Sequence, residues 1–167
     1  MLKTVTFPNE ILRERMPDFD FSNPIMDPKE LEFKMLEHMY NNDGIGLAAN
    51  QVGIKSRVFV MGHKDNPEAG IAFFNPIILE NTEHVLDLEE GCLSFPGVYV
   101  KIKRPAKIKA RWQNSSGEWE EDEFDGYNCK CFLHEFDHLE GITYQDRISP
   151  LKWALAVKKK IVQQRKK

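Results

Sequence analysis

The sequence predicts an α+β fold in which short antiparallel strands surround a central helix carrying His-Glu-x-x-His, followed by a C-terminal helix. Three observations lead there. Residues 127–140 place Phe132, Leu133, Phe136 and Leu139 around a helix that also holds His134-Glu135-Phe136-Asp137-His138. Several short runs between residues 57 and 124 are apolar or alternate apolar with polar, as buried and half-buried strands do. These runs follow one another without the regular helix-after-strand spacing of a parallel sheet.

The elements follow in order. The first 26 residues read as irregular and extended, punctuated by Pro8, Pro17 and Pro24. Asp27 is a good N-cap, Pro28 suits the first helical position and Glu30 completes a capping-box-like start. Leu31, Met35, Leu36, Met39 and Tyr40 form the stripe of that first helix, and Asn41-Asn42-Asp43-Gly44 ends it. Strands are expected over 57–61, 71–74 and 76–79 (the last two split by Pro76), 98–102, 107–112 and 119–124. The turn signal Asn114-Ser115-Ser116-Gly117 makes the last two a hairpin. Asp125-Gly126 precedes the motif helix, Gly141 is its C′ residue, and a final helix begins at Ser149 or Pro150.

A chain of 167 residues fits one domain, 1–167, with a core large enough to need neither disulfides nor metal for bulk stability. No run approaches the 18 apolar residues of a membrane span, and Met1-Leu2-Lys3-Thr4-Val5 has no secretory character. Of three cysteines, Cys92, Cys129 and Cys131, at least one is unpaired, which indicates reduced thiols and a cytoplasmic location. The net charge of −3 is unevenly spread. Residues 151–167 hold seven cations and no acid, leaving −10 on residues 1–150. A basic terminal helix suits RNA or another polyanion, and equally a solvated helix end.

The motif carries the chemistry. Imidazoles four residues apart share one helix face about a turn apart, close enough to grip one metal ion. A glutamate beside the first can serve as general base toward a water on that metal. A catalytic site of this kind needs a third protein ligand and an open position. Glu140 and Asp146 follow the helix without the spacing of the known downstream-ligand patterns. Cys92, in Glu90-Gly91-Cys92-Leu93-Ser94, is the stronger candidate, although an isolated cysteine is more often a small buried residue.

Three segments in order resemble the signature motifs of peptide deformylases: Gly44-Ile45-Gly46-Leu47-Ala48-Ala49-Asn50-Gln51, Glu90-Gly91-Cys92-Leu93-Ser94, and His134-Glu135-Phe136-Asp137-His138-Leu139-Glu140-Gly141. The opening Phe7-Pro8-Asn9-Glu10-Ile11-Leu12 is also similar to the family's start. The resemblance implies a hydrolase that removes the formyl group from N-formylmethionine at the start of nascent chains, releasing formate. It implies Cys92, His134 and His138 as metal ligands. It names Fe²⁺ as the usual ion, and these donors also suit Zn²⁺, Ni²⁺ or Co²⁺ but not Mg²⁺ or Ca²⁺. It assigns Glu135 as acid–base group, and the Gln51 side chain with the Leu93 backbone N–H as oxyanion donors. Ile45, Gly46, Gly91 and Leu93 then line the substrate site, with Gly44 and Gly46 letting the substrate backbone pair as a strand. Glu90 is expected to pair with Arg104.

The resemblance further implies docking at the ribosome, on ribosomal RNA, through residues 151–167. Departures from the family pattern are Leu133 for a frequent Gln, and Cys129-Lys130 for a frequent Ala-Arg, all expected to border the substrate side of the helix. Two other readings compete. One is a metallopeptidase cutting internal peptide bonds, against which Glu-Gly-Cys-Leu-Ser speaks. The other is a binding protein whose metal is structural.

Overall fold

The computed structural model describes residues 2–165. A 3-10 turn at Glu10–Arg13 leads to helix α1, Pro28–Asn41. Strand β1, Gly46–Ala48, passes into a 3-10 turn at Ala49–Val52. Strands β2 (Val58–His63), β3 (Asn66–Asn81), β4 (Val85–Glu90), β5 (Val100–Pro105), β6 (Lys107–Gln113) and β7 (Trp119–Asp125) follow. Helix α2, Gly126–Leu139, a 3-10 turn at Tyr144–Arg147 and helix α3, Pro150–Gln164, complete the chain.

The five-stranded antiparallel sheet runs β1-β2-β3-β6-β7, and β4 pairs with β5 in a separate two-stranded sheet. This is the α+β arrangement expected. Alternation along β2 explains how two helices share the larger sheet. Val58 and Val60 face Leu31, Met35 and Met39 of α1, whereas Phe59 and Met61 face Phe132 and Leu133 of α2. The helices thus cover opposite faces. A third cluster joins Val100 and Ile102 of β5 to Phe95, Tyr144 and the partly buried Trp153 of α3.

Local chemistry sets the helix ends. The Asp27 side chain accepts from Glu30 N at 3.0 Å, as a capping residue should. At the far end the left-handed residue is Asp43, φ 55°, and Gly44 N returns to Met39 O at 2.9 Å. Gly141 ends α2 at φ 71°, and a Cβ there would strike the Arg13 carbonyl, so only glycine fits.

The strands depart from expectation in three places. Residues 71–74 and 76–79 belong to one strand, β3. It survives Pro76 because the register against β6 shifts between Phe74 and Ile77, with Asn75 at φ 48°. β1 and β4 were not anticipated, and the 98–102 run is shifted to Val100–Pro105. No helix among the described residues is long and apolar enough to cross a membrane. α3 has no buried residue and attaches through Trp153, which stacks edge-on against Phe95 and Tyr144. Lys166 and Lys167 of the basic segment lie outside the described residues.

Candidate metal centre

Helix α2 is buried along most of its length, so His134 and His138 are buried with it. Their rings lie 5.0 Å apart. Cys92, just beyond the end of β4, approaches from the other sheet, its Sγ 3.3 Å from His138 Nε2. One donor atom from each of Cys92, His134 and His138 lies within 4.8 Å of the others. A thiol sulfur and two imidazole nitrogens make a soft-to-borderline set that fits a divalent transition ion and not a hard, oxygen-seeking one.

The surroundings of His134 are built to present that set. His134 Nδ1 is 2.8 Å from Glu90 Oε2. Burial would push the Glu90 carboxyl up, but hydrogen bonds from His134 and Arg104 hold it down to about 2. An ionised carboxylate only accepts, so Nδ1 donates to Glu90 and Nε2 is the nitrogen left for the cluster. Arg104 binds Glu90 through Nε and Nη2, and Asp137 through Nη1 at 2.9 Å. Asp137 in turn holds Arg147. Glu90 and Arg104 thus pair as expected. The extension through Asp137 to Arg147 was not foreseen, although Asp137 lies inside the motif.

Glu135 faces the same centre with the opposite character. It is buried, and its Oε2 has no hydrogen-bond partner. Burial first, opposed by the positive His134, and then the negative Glu90 push its carboxyl up to about 7. Gly46 of β1 lies so close that a Cβ there would overlap Glu135 Oε1 and approach Cys131 Sγ at 2.8 Å, which explains a glycine at this point of the edge strand.

Gln51, in the 3-10 turn after β1, accepts from Ala48 N through Oε1 at 2.9 Å. That fixes its amide, whose Nε2 donates to Ser94 Oγ at 3.2 Å and reaches Cys92 Sγ at 3.4 Å. Leu93 follows the cysteine, and its N–H donates to no backbone carbonyl among the described residues. Ile45, Gly46, Gln51, Gly91, Cys92, Leu93, His134 and Glu135 all line one cleft of about 600 Å³, and His138 joins them through the donor cluster. Ser94, Tyr99 and Cys131 also belong to this neighbourhood and were not singled out for it from the sequence.

Two expectations about α2 need correction. Leu133 does not border the substrate side. It lines a separate cavity with Phe136, Asp137 and Arg147. Cys129 is buried, its thiol donating to the Pro105 carbonyl at 3.2 Å. Only Lys130 of the three departures borders the cleft. At about 100° per residue, Lys130 is roughly 40° round the helix from His134 but Leu133 is roughly 100° away. Glu140 is taken by Arg57 and Arg15, and Asp146 by Arg13, which leaves neither near the cluster.

Comparison with known proteins agrees with this geometry. The polypeptide deformylase family model matches residues 1–154. A peptide deformylase of Thermotoga sp. (strain RQ2) is 45% identical over 160 residues, covering 95% of this chain and 94% of that protein. The crystal structure of peptide deformylase from Thermotoga maritima superposes with a TM-score of 0.82 at 43% identity, covering 90% of this chain and 99% of that one. That of a peptide deformylase from Legionella pneumophila gives 0.89 at 30% identity, covering 99% and 96%. This chain belongs to the peptide deformylase family, metal-dependent hydrolases that remove the N-formyl group from the N-terminal formylmethionine of nascent polypeptides and release formate.

Proposed function

We propose that Cys92, His134 and His138 hold one divalent transition ion, Fe²⁺ in the cell with Zn²⁺, Ni²⁺ or Co²⁺ able to substitute, and that residues 1–167 act as one catalytic domain around it. The observation that carries this reading is the meeting of three donor atoms within 4.8 Å beside a buried carboxyl with an unpartnered oxygen. When bound, such an ion supplies Lewis acidity, lowering the pKa of a water and polarising a carbonyl. Glu135 takes the proton of the attacking water and delivers it to the departing amide nitrogen. A carboxyl pushed up to about 7 suits both directions of transfer near neutral pH. Gln51 Nε2 and the Leu93 N–H donate to the oxygen that turns negative as the formyl carbon becomes tetrahedral. The fixed orientation of the Gln51 amide supports that role.

The substrate backbone pairs along Ile45 and Gly46, at the open edge of β1, and the first side chain lies between Ile45, Gly91 and Leu93. Support comes from the glycine at 46, which admits a second backbone against Glu135, and from Ile45, 44% exposed at the cleft wall. The decisive experiment is metal analysis of anaerobically purified protein with formate release from a formyl-Met peptide measured on the same sample. Cys92→Ala is expected to lose the metal. A Cys92→Ala protein that binds metal as tightly as the parent overturns the ligand set, and activity that tracks zinc rather than iron overturns the choice of ion.

Two further readings concern location. Docking on ribosomal RNA through residues 151–167 is supported by the exposed α3 and its lysines. Lys152 is engaged with the Lys101 carbonyl and Lys160 packs along Gly97, whereas Lys158 and Lys159 lie within α3 and form no ion pair among the described residues, which makes them cations to test. Lys158→Glu with Lys159→Glu should weaken salt-sensitive ribosome binding. Unchanged binding overturns the docking. A cytoplasmic setting is supported by the three free thiols.

A further inference from the structure

Among the described residues three lysines or arginines are buried, and two of them meet carboxylates: Arg57 with Glu140, and Arg104 with Glu90 and Asp137. Lys130, 9% exposed, forms no ion pair among the described residues. Its Nζ donates to the Glu89 carbonyl at 3.0 Å and lies 4.8 Å from the centre of the Tyr127 ring. An ammonium carries three donors, and a buried cation without an anion is costly to keep. This one borders the cleft with Ile45, Gly91 and Cys131.

Its position gives the unused donors a purpose. Lys130 precedes His134 by one turn of α2 on nearly the same face, and one turn spans about 5.4 Å. In formyl-methionine the sulfur follows the formyl carbon by five bonds, roughly 6 Å in an extended side chain. With the formyl group at the donor cluster, as read above and on which this inference rests, the sulfur comes to lie opposite Lys130. A thioether is a weak acceptor, whereas a sulfoxide oxygen is strongly dipolar. A purely apolar pocket would reject the oxidised side chain because its oxygen would be left unpaired.

We propose that Lys130 is a specificity-determining residue that admits N-formylmethionine sulfoxide as a chain start alongside N-formylmethionine, by donating from its ammonium to the sulfoxide oxygen. The chemistry at the formyl carbon is the same for both. Only the contact at the far end of the first side chain differs.

The test compares kcat/KM for formate release from formyl-Met-Ala-Ser, each epimer of its sulfoxide, and the norleucine analogue, using metal-loaded protein. The wild type is expected to turn over at least one sulfoxide epimer within about tenfold of the methionine peptide. Lys130→Met should lower the sulfoxide-to-methionine ratio by about tenfold or more, in line with loss of a charged hydrogen bond, and leave the norleucine-to-methionine ratio where it was. Lys130→Arg should recover the sulfoxide ratio to within about threefold. Lys130→Gln, which keeps a donor for the Glu89 carbonyl, replaces Lys130→Met should that variant fail to fold. A wild-type ratio below about one-tenth for both epimers overturns the proposal. So does a Lys130 change that lowers all four substrates equally, and that result leaves the ligand assignment standing. A wild type that releases no formate from the methionine peptide overturns the reading of the site and this inference together.

Discussion

His134 stands between two buried carboxylates that the fold treats in opposite ways. Glu90, on the β4–β5 side, is saturated: it accepts from His134 and from two nitrogens of Arg104, and is held to about 2. Glu135, on the cleft side, has an oxygen with no partner and is pushed by burial up to about 7. Paired carboxylates whose surroundings drive their proton affinities apart divide labour between a fixed charge and a proton carrier. In the proposed reading the fixed charge orients a ligand, and the carrier faces the substrate. The same helix supplies both arrangements, so the difference comes from what β1 and the β4–β5 sheet bring to its two sides.

The largest expected effect lies on the unsatisfied side. Glu135→Gln should reduce kcat/KM for formyl-Met-Ala-Ser by about 10⁴-fold, the upper range for one group serving as both base and acid. Metal content should be unchanged. Because the wild-type carboxyl is buried with an orphan oxygen, the substitution should not lower the thermal midpoint of the metal-free protein. A variant that loses its metal, or that unfolds several degrees earlier, would show that Glu135 is structural and erase the contrast. Next in size is Arg104→Met on the saturated side, which leaves the Glu90 charge in the interior without its guanidinium partner and Asp137 with Arg147 alone. Unfolding in urea should show a loss of about 3–5 kcal/mol. A loss under about 1 kcal/mol would mean the network is an ornament of the fold.

That contrast was only half legible in the sequence. α1 and α2 were readable to within a residue or so because caps, apolar spacing and glycine stops agree locally: Asp27-Pro28 at one start, Gly141 at one end. β1 was not, because three residues carry no periodicity, and Gly46–Ala48 is a strand only by pairing with Phe59–Met61. β4 did alternate, with Leu86 and Leu88 on either side of Asp87, but both are only half-buried and its pairing with β5 is tertiary. β3 was divided at Pro76 because a bulge cannot be seen without its partner strand. At the site, two histidines and a glutamate could be read as chemistry from their spacing and Cys92 only as a candidate third ligand, whereas Gln51 and Leu93 entered only through resemblance. The Glu90–Arg104 pair was anticipated in the same way. Lys130 and Leu133 were assigned to one side of α2, and only the packing of both faces separates them.

Glu90→Gln sharpens the comparison with a smaller effect. The amide oxygen can still accept from His134 Nδ1, but the amide nitrogen then meets Arg104, donor against donor. His134 keeps a partner and loses its full negative charge. Affinity for Zn²⁺, measured by chelator competition, should fall about 10- to 100-fold, the usual consequence of disturbing the group behind a ligating imidazole. If affinity stays within about twofold of wild type, Glu90 holds the fold rather than the ligand, and the two carboxylates no longer divide as described.

The smallest effect tests how far the saturated side reaches. Arg147 closes the chain His134–Glu90–Arg104–Asp137, binding both oxygens of Asp137 from the 3-10 turn before α3, with its own side chain 43% exposed. A pair that solvent reaches contributes little, and Arg104 still neutralises Asp137 when Arg147 is gone. Arg147→Ala should therefore cost about 1 kcal/mol, a drop of roughly 2–4 °C in Tm for a chain of this size, and leave Zn²⁺ affinity within about twofold. A fall in affinity as large as that for Glu90→Gln would mean orientation of His134 is enforced from the protein surface through Asp137. The metal centre would then be mechanically coupled to the turn that launches α3. An unchanged affinity confines the orienting function to Glu90, Arg104 and Asp137, the buried members of the chain behind His134.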